Sequence, residues 1–341
     1  MIDNKVNFED DDFLRTVRED DGTEPYAEVE SKDPEKVKED EDFLRTLRED
    51  EVVKPPEEKE EKKEPVKKDD DGKVYTIEIE DGIAVNIGSS SVIGKRADQQ
   101  DAIKCDDYYS YLKNGQAIAV LCDGMGGLSG GALASGECTS LFYNVFHGGN
   151  KVTSIPNFLY SIARAADKHV AGLKNDKGIN LKAGTTLVCA VIDGSDLYFM
   201  SVGDSKLYFI RDNVIQCLTV EHNYHMLLQK KVDSGKLSQA EADNDPHREA
   251  LVSYIGVDGF EYFDLTNNPI RLKSGDKIVI CSDGLYRTLT EQQIMDVVLN
   301  CDDTQRAAEE LTGLALCANK PHQDNTSVIV ISYDENGSYN I

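Results

Sequence analysis

From about Val74 onward, apolar stretches alternate with short clusters of Gly, Asn and Asp. Stretches rich in Val, Ile, Leu and Tyr predict β-strands at 83–88, 117–123, 185–193, 196–204, 206–219, 277–283 and 325–333. Segments with apolar residues at helical spacing predict helices at 131–146, 156–173, 222–232, 291–299 and 304–318. We therefore expect an α+β chain in which helices cover the faces of an antiparallel strand framework.

Two strand candidates, 196–204 and 206–219, follow one another with almost no loop between them. The second contains Asp212-Asn213, a pair of residue types that favours a tight hairpin turn. This run predicts an antiparallel meander.

The first 75 residues have a different composition. They contain 28 Asp and Glu against 15 Lys and Arg, with few aromatic or branched apolar side chains. Such a segment buries too little apolar surface to offset its conformational entropy, so we predict a disordered acidic tail over 1–75 and a globular domain over 76–335.

The tail contains a duplicated motif, FLRT(V/L)RED, within 11–21 and again within 41–51. Thr16 and Thr46 lie between arginines and are followed by acidic residues, so phosphorylation there would suit a Ser/Thr kinase or a phosphothreonine-reading domain as partner. The alternative is a duplicated solvated segment without a specific partner.

Charge and composition exclude several classes of protein. The formal net charge of −26 argues against nucleic-acid binding, which usually requires a basic surface. We find neither a membrane-spanning apolar stretch nor a signal sequence, and the eight cysteines show no CxxC pairing. We expect a cytoplasmic chain, a monomer, with reduced, buried cysteines.

Four aspartates occur where an apolar strand gives way to small or polar residues: Asp123, Asp204, Asp283 and Asp324. One such residue is usually a turn or a helix cap. Strands of a packed sandwich end at a common edge, so four of them predict convergent carboxylates, which repel one another unless a cation neutralises them. Oxygen ligands of this kind suit Mg²⁺ or Mn²⁺. The five glycines in 124–131 would let the backbone approach the ion.

The order of these motifs resembles the metal-dependent protein serine/threonine phosphatases of the protein phosphatase 2C (PPM) family, in their bacterial form. The resemblance covers about 83–332 and is carried by RADQQDA, DGMGG, AGTT, GDSK, EHN, CSDGL and DNTS, at 96–102, 123–127, 183–186, 203–206, 221–223, 281–285 and 324–327. It implies a four-layer α/β/β/α sandwich of two antiparallel sheets flanked by helices, and hydrolysis of phosphoserine and phosphothreonine by a metal-bridged hydroxide.

The resemblance also implies a role for each site residue. Asp123 would bridge two ions, Asp283 and Asp324 would complete the first ion's ligands, and the carbonyl of Gly124 would bind the second. A third ion would lie between Asp204 and Asp283. Arg96 would hold the substrate phosphate and Asp101 would orient the attacking water.

This chain departs from the family pattern at Gln99, Gln100, Met125, Leu128, Ala132, Lys206 and Tyr254. Met125 replaces a histidine that protonates the leaving group in eukaryotic members, so a water is expected to do so here. The segment 221–259, here called the flap, resembles a mobile element beside the site in bacterial members. It is either a lid or a packed helical hairpin without a gating role.

We therefore predict a Mn²⁺- or Mg²⁺-dependent Ser/Thr phosphatase with two or three ions, whose acidic tail recruits partners. The alternatives are a catalytically weak pseudo-phosphatase scaffold and a hydrolase of small phosphoesters. The four strand-end aspartates and Arg96 argue against the scaffold.

Overall fold

The computed structural model describes residues 76–77, 83–107, 111, 115–125, 130–149, 151–175, 177–335 and 339–340. The predicted tail over 1–75, with its two FLRT motifs, Thr16 and Thr46, lies outside the described residues. Leu128 also lies outside them. In these described ranges, no helix is both long enough and apolar enough to cross a membrane.

The strands are, in chain order, β1 (Thr76–Ile77), β2 (Ala84–Val92), β3 (Asp101–Cys105), β4 (Gln116–Met125), β5 (Gly184–Thr185), β6 (Leu187–Asp193), β7 (Asp196–Val202), β8 (Lys206–Arg211), β9 (Val214–Cys217), β10 (Asp264–Leu265), β11 (Ile270–Arg271), β12 (Lys277–Cys281), β13 (Thr326–Asp334) and β14 (Tyr339–Asn340). The helices are α1 (Gly130–His147), α2 (Ile155–Ala171), α3 (Tyr224–Asp233), α4 (Gln239–Asp243), α5 (Asp283–Tyr286), α6 (Glu291–Asn300) and α7 (Thr304–Cys317). All five predicted helices occur, with bounds shifted by a few residues.

The longer strands form two antiparallel sheets. The first has the order β10-β7-β6-β4-β3, with β11 pairing with β7 and β5 pairing with β4. The second has the order β2-β13-β12-β8-β9. The short strands β1 and β14 pair with each other.

Apolar side chains fill one layer between the sheets and one layer under the helices on each side. Leu121 of β4 and Ile280 of β12 belong to the layer between the sheets. Their neighbours Val120 and Val279 belong to the outer layers, with α1 and α2 in one case and α6 and α7 in the other. Because both faces of each sheet are covered, the central strands β4, β6, β12 and β13 contain continuous apolar runs. The structure confirms the predicted α/β/β/α sandwich.

The predicted meander over 196–219 is wrong in one respect. Strand β7 lies in the first sheet and β8 in the second, so the chain crosses between sheets at Gly203, whose φ is +107°. Strands β8 and β9 do form the predicted hairpin, with Asp212 and Asn213 at φ values of 52° and 60° in its turn. A strand buried on both faces has the same pattern whether the next strand pairs with it or crosses the core, so the sequence could not distinguish the two.

Candidate active site

Two facing strand ends bring Asp101 and Asp123 together. Asp101 of β3 pairs in register with Asp123 of β4. The Asp101 side chain is buried, and Ser282 Oγ donates a hydrogen bond to its Oδ2 at 2.8 Å. Its other oxygen, Oδ1, is buried and accepts no hydrogen bond from the described residues. A buried carboxylate oxygen without a partner is costly, so this atom indicates that a water or a cation binds beside it.

The backbone of Asp123 is fixed by the two threonines of the AGTT motif. Thr186 Oγ1 accepts from the Asp123 N–H at 2.9 Å. The Asp123 carbonyl accepts from Thr185 Oγ1 and from the Thr186 N–H, both at 2.9 Å. These bonds set the direction of the Asp123 side chain at the end of its strand.

Gly124 has no room for a side chain. Its N–H donates to the carbonyl of Gln100 at 3.0 Å, and a Cβ at this position would lie 2.2 Å from the carbonyl oxygen of Gly131. The glycine-rich stretch therefore packs the end of β4 directly against the start of α1. This close approach explains a glycine at 124 more specifically than backbone flexibility does.

Asp204 and Asp283 lie at the ends of other strands. Asp204 follows the crossing at Gly203, and Asp283 is the first residue of α5, directly after β12. Sequence reasoning extended the strand to Asp283, whereas the structure ends it at Cys281. Both carboxylates are largely buried, with side-chain exposures of 10% and 20%.

Asp324 precedes β13, and its neighbour Asn325 holds the loop that carries Arg96. The Asn325 side chain accepts from the Gln100 N–H at 2.8 Å and donates to the carbonyls of Ile93 and Asp98. The DNTS motif thus contributes an amide that fixes the RADQQDA loop beside the aspartates. The sequence analysis assigned Asn325 no role.

The five aspartates influence one another electrostatically. Burial raises the pKa of Asp123 well above its usual value, and the charges of Asp101, Asp283, Asp204 and Asp324 raise it further. Such mutual repulsion requires that the side chains converge at one edge of the sandwich. We call these five residues the acidic cluster.

Two further members of the acidic cluster titrate near neutral pH. Burial raises the pKa of Asp283 to about 7, while the positive charge of Arg287 opposes that rise. Burial also raises the pKa of Asp101 to about 6, against the hydrogen bonds donated by its serine neighbours. Burial raises the pKa of Asp204 as well. A cation near these groups would restore their charged forms.

Two arginines contact the acidic cluster. Arg96 Nη2 lies 2.5 Å from Asp324 Oδ2, and 57% of the Arg96 side chain remains exposed. Arg287 Nε lies 3.0 Å from Asp283 Oδ2, and its Nη2 lies 3.5 Å from Asp204 Oδ2. The sequence analysis predicted Arg96 and missed Arg287. The signal for Arg287 was its position four residues after Asp283, which places both on one helical face.

A cleft of about 450 Å³ opens beside the acidic cluster. Arg96, Asp123, Asp283 and Asp324 line it, together with Met125 and other polar residues. The donors are carboxylate oxygens and a backbone carbonyl, which suit Mg²⁺ or Mn²⁺ and not a thiolate-binding metal. That Asp123, Asp283, Asp324 and the Gly124 carbonyl hold divalent ions stays a prediction.

The Arg287 guanidinium contacts both Asp204 and Asp283, the two carboxylates between which the resemblance implies a third ion. Arg96 likewise occupies one oxygen of Asp324. Among the described residues, no three acidic, His or Cys side chains are grouped closely enough to hold one ion. In this structure two guanidinium groups thus neutralise part of the acidic cluster.

His222 holds the turn that carries Asp204. Its side chain is buried, its Nδ1 accepts from the Gly203 N–H at 3.1 Å, and its N–H donates to the Gly203 carbonyl at 2.9 Å. The sequence pattern predicted a helix that starts at 222. The helix begins instead at Tyr224, with Asn223 as its N-cap, and His222 positions the neighbouring Asp204.

The flap forms a helical hairpin of α3 and α4, whose buried side chains are Leu228 and Ala242. An isolated bridge between Asn223 and Leu251 closes its base. The structure shows a helical hairpin, and whether the flap acts as a lid stays a prediction.

Comparison with known proteins gives a consistent set of relatives. Residues 91–315 match the model of a family described as Protein phosphatase 2C. The serine/threonine phosphatase stp of Listeria monocytogenes serotype 4b (strain F2365) is 25% identical over 228 residues, 65% of this chain and 86% of the relative. The protein phosphatase PhpP of Streptococcus pneumoniae serotype 2 (strain D39 / NCTC 7466) is 28% identical over 239 residues, 67% of this chain and 92% of the relative.

Solved structures give the same fold. The serine/threonine phosphatase of S. agalactiae has a TM-score of 0.61 and 26% identity, covering 73% of this chain and 99% of that one. The catalytic domain of the serine threonine protein phosphatase PstP, in complex with two manganese ions, has a TM-score of 0.58 and 22% identity. The match covers 74% of this chain and 99% of that one. The second likeness concerns the fold alone.

Proposed function

Because the chain belongs to the protein phosphatase 2C family, we propose that it hydrolyses phosphoserine and phosphothreonine in proteins, with Mn²⁺ or Mg²⁺ as cofactor. The observation that carries this proposal is that Asp123, Asp283 and Asp324 line one cleft, with Asp101 paired in register with Asp123. Buried carboxylates at this density require cations to remain charged. The PstP relative contains two manganese ions, and we propose two for this chain.

Asp123, Asp283, Asp324 and the carbonyl of Gly124 would hold these ions. When bound, the ions neutralise charge on the phosphate and make a nucleophilic water available near neutral pH. Asp101, whose buried Oδ1 has no hydrogen-bond partner among the described residues, would orient that water. Ser282 keeps the Asp101 carboxyl in place through the 2.8 Å bond to Oδ2.

Arg96 binds the substrate phosphate. Its guanidinium is exposed in the cleft and is held near the acidic cluster by Asp324. A planar guanidinium gives two parallel hydrogen bonds to phosphate oxygens and stays charged at every relevant pH. On substrate binding, we expect Arg96 to exchange its bond with Asp324 for bonds with the phosphate.

The leaving group takes its proton from water. Met125 lines the cleft at the position beyond Asp123 and Gly124, and a thioether has no proton to donate. The cleft is open to solvent, so a water can reach the departing alkoxide. This step is expected to contribute less than a positioned side-chain acid would.

The test is phosphate release from a phosphothreonine peptide with Mn²⁺ and with a chelator, for the wild type, Asp283→Asn and Asp302→Asn. Asp302 is an exposed aspartate before α7 and serves as the matched control. We expect release to require Mn²⁺, to be lost in Asp283→Asn and to be retained in Asp302→Asn. Release that is independent of metal, or equal in both variants, contradicts the proposal.

The same assay separates the alternatives. A folded wild type that is inactive on several phosphopeptides with Mn²⁺ supports the scaffold. Faster turnover of a small aryl phosphate than of every phosphopeptide supports a small-phosphoester hydrolase. The proposal requires a higher kcat/KM on the phosphopeptide.

We also propose that the acidic tail recruits partners in the cytoplasm through Thr16 and Thr46. The support is the repeated motif, in which each threonine has an arginine before it and another two residues after it. The test is treatment of the full chain with a Ser/Thr kinase, followed by titration with a phosphothreonine-reading domain. The proposal expects phosphate at both threonines and binding of the reading domain that is lost in the double variant Thr16→Ala/Thr46→Ala. A chain that is neither phosphorylated at these threonines nor bound by the domain would refute it.

A further inference from the structure

Arg287 occupies a singular position at the edge of the acidic cluster. It caps the C-terminus of α5, where its N–H donates to the carbonyl of Asp283 at 2.9 Å. This single helical turn directs the Arg287 side chain along that of Asp283, and its guanidinium reaches across to Asp204. One side chain therefore bridges two carboxylates that come from different strands.

The bridge uses the space that a third ion would need. Asp204 and Asp283 are both largely buried, and one oxygen of each faces a nitrogen of Arg287. A divalent cation between them would have to displace a permanently charged guanidinium and would be repelled by it. The two carboxylates are thus neutralised by a cation that belongs to the chain.

Arg287 also contacts the flap. Its Nη2 lies 3.2 Å from Glu249 Oε2, while Glu249 Oε1 accepts from Arg248 Nε at 3.0 Å. Glu249 belongs to the returning arm of the flap, between α4 and the bridge at Leu251. The contact joins this arm to the two carboxylates.

The ends of the flap are anchored elsewhere. His222 binds Gly203 at the start, and at the end the Asp167 carboxylate accepts from the N–H groups of Gly256 and Gly259 at 2.7 and 2.6 Å. The Arg287–Glu249 contact therefore acts on the part of the flap between these anchors, where the described residues are mostly exposed.

We propose that Arg287 is a built-in cation that replaces the third divalent ion and fastens the returning arm of the flap to the active site. The inference rests on the proposed function, since it concerns the same metal centre. The chain would then bind two ions, and an arginine would hold its flap beside them.

The first experiment counts bound Mn²⁺ at saturation, by calorimetry and by metal analysis of the desalted complex. We expect two ions per chain for the wild type, three for Arg287→Ala, and two for Arg287→Lys, which keeps the charge. Arg306→Ala, at an exposed arginine on α7, is the matched control and should stay at two. Three ions in the wild type, or two in Arg287→Ala, would overturn the proposal that Arg287 replaces the third ion.

The second experiment measures amide hydrogen exchange in the flap without metal. Arg287→Ala and Glu249→Gln should each raise exchange several-fold in peptides covering 244–251, and Arg306→Ala should not. Equal exchange in the wild type and both variants would overturn the proposal that Arg287 holds the returning arm of the flap. A wild type that binds no Mn²⁺ overturns the proposed function instead, and the exchange result still decides whether Arg287 holds the flap.

Discussion

Replacing Asp283 by Asn is expected to stabilise the metal-free protein while removing its activity. Burial raises the pKa of Asp283 from 3.8 to about 7, and its side chain is only 20% exposed. This rise of about 3 pH units corresponds to roughly 4 kcal/mol at about 1.4 kcal/mol per unit. Above pH 7 the charged carboxylate therefore destabilises the fold by up to about 4 kcal/mol.

The sign of the pH dependence follows from the raised pKa. Between the unfolded pKa of 3.8 and the folded pKa of about 7, the folded chain retains a proton that the unfolded chain has released. The free energy of unfolding therefore falls as pH rises across this range and is constant above it. Asp101, with a pKa of about 6, acts in the same direction.

The assay is urea unfolding in the presence of a chelator, at pH 8 and at pH 5. At pH 8, the free energy of unfolding of Asp283→Asn should exceed that of the wild type by about 1 to 4 kcal/mol. This difference in stability should shrink at pH 5. The exposed control Asp302→Asn should stay within about 0.5 kcal/mol of the wild type. A less stable Asp283→Asn at pH 8, or a difference that is the same at both pH values, would refute the reasoning.

Three further substitutions test the local geometry. Gly124→Ala, whose Cβ would lie 2.2 Å from the Gly131 carbonyl oxygen, should lower Tm by several degrees in thermal unfolding; an unchanged Tm would show that the backbone there is not constrained. Asp167→Ala removes the acceptor for N–H groups of the turn at 256–259 and should cost about 1 to 3 kcal/mol in urea unfolding, a loss that an equally stable variant would rule out. Arg96→Ala should lower kcat/KM on a phosphopeptide about 10²-fold, and turnover equal to wild type would exclude the phosphate-binding role.

The convergence of aspartates could be predicted because it depends on a simple property of sheets. Continuous apolar strands predict buried strands, and buried strands of a sandwich end at shared edges. Asp123 lies near the end of β4, Asp204 and Asp283 follow β7 and β12, and Asp324 precedes β13. Their proximity therefore follows from the strand pattern. The sandwich itself was predictable for the same reason.

Arg287, His222 and the crossing at Gly203 could not be predicted in this way. Each depends on which sheet a strand joins or on where a long side chain extends, and neither is encoded in hydrophobic periodicity. Arg287 bridges Asp204 and Asp283 only because β8 and β12 are neighbours in the second sheet. Pairing between strands distant in sequence thus created the contact on which the proposed two-ion site rests.

The most direct test of the metal-dependent phosphatase is phosphate release from a phosphothreonine peptide by the wild type and by Asp123→Asn. Asp123 lines the cleft, and it pairs in register with Asp101. The account predicts release by the wild type only when Mn²⁺ or Mg²⁺ is present, and a loss of at least about 10³-fold in Asp123→Asn. Release that continues in a chelator, or that survives the substitution unchanged, would contradict it.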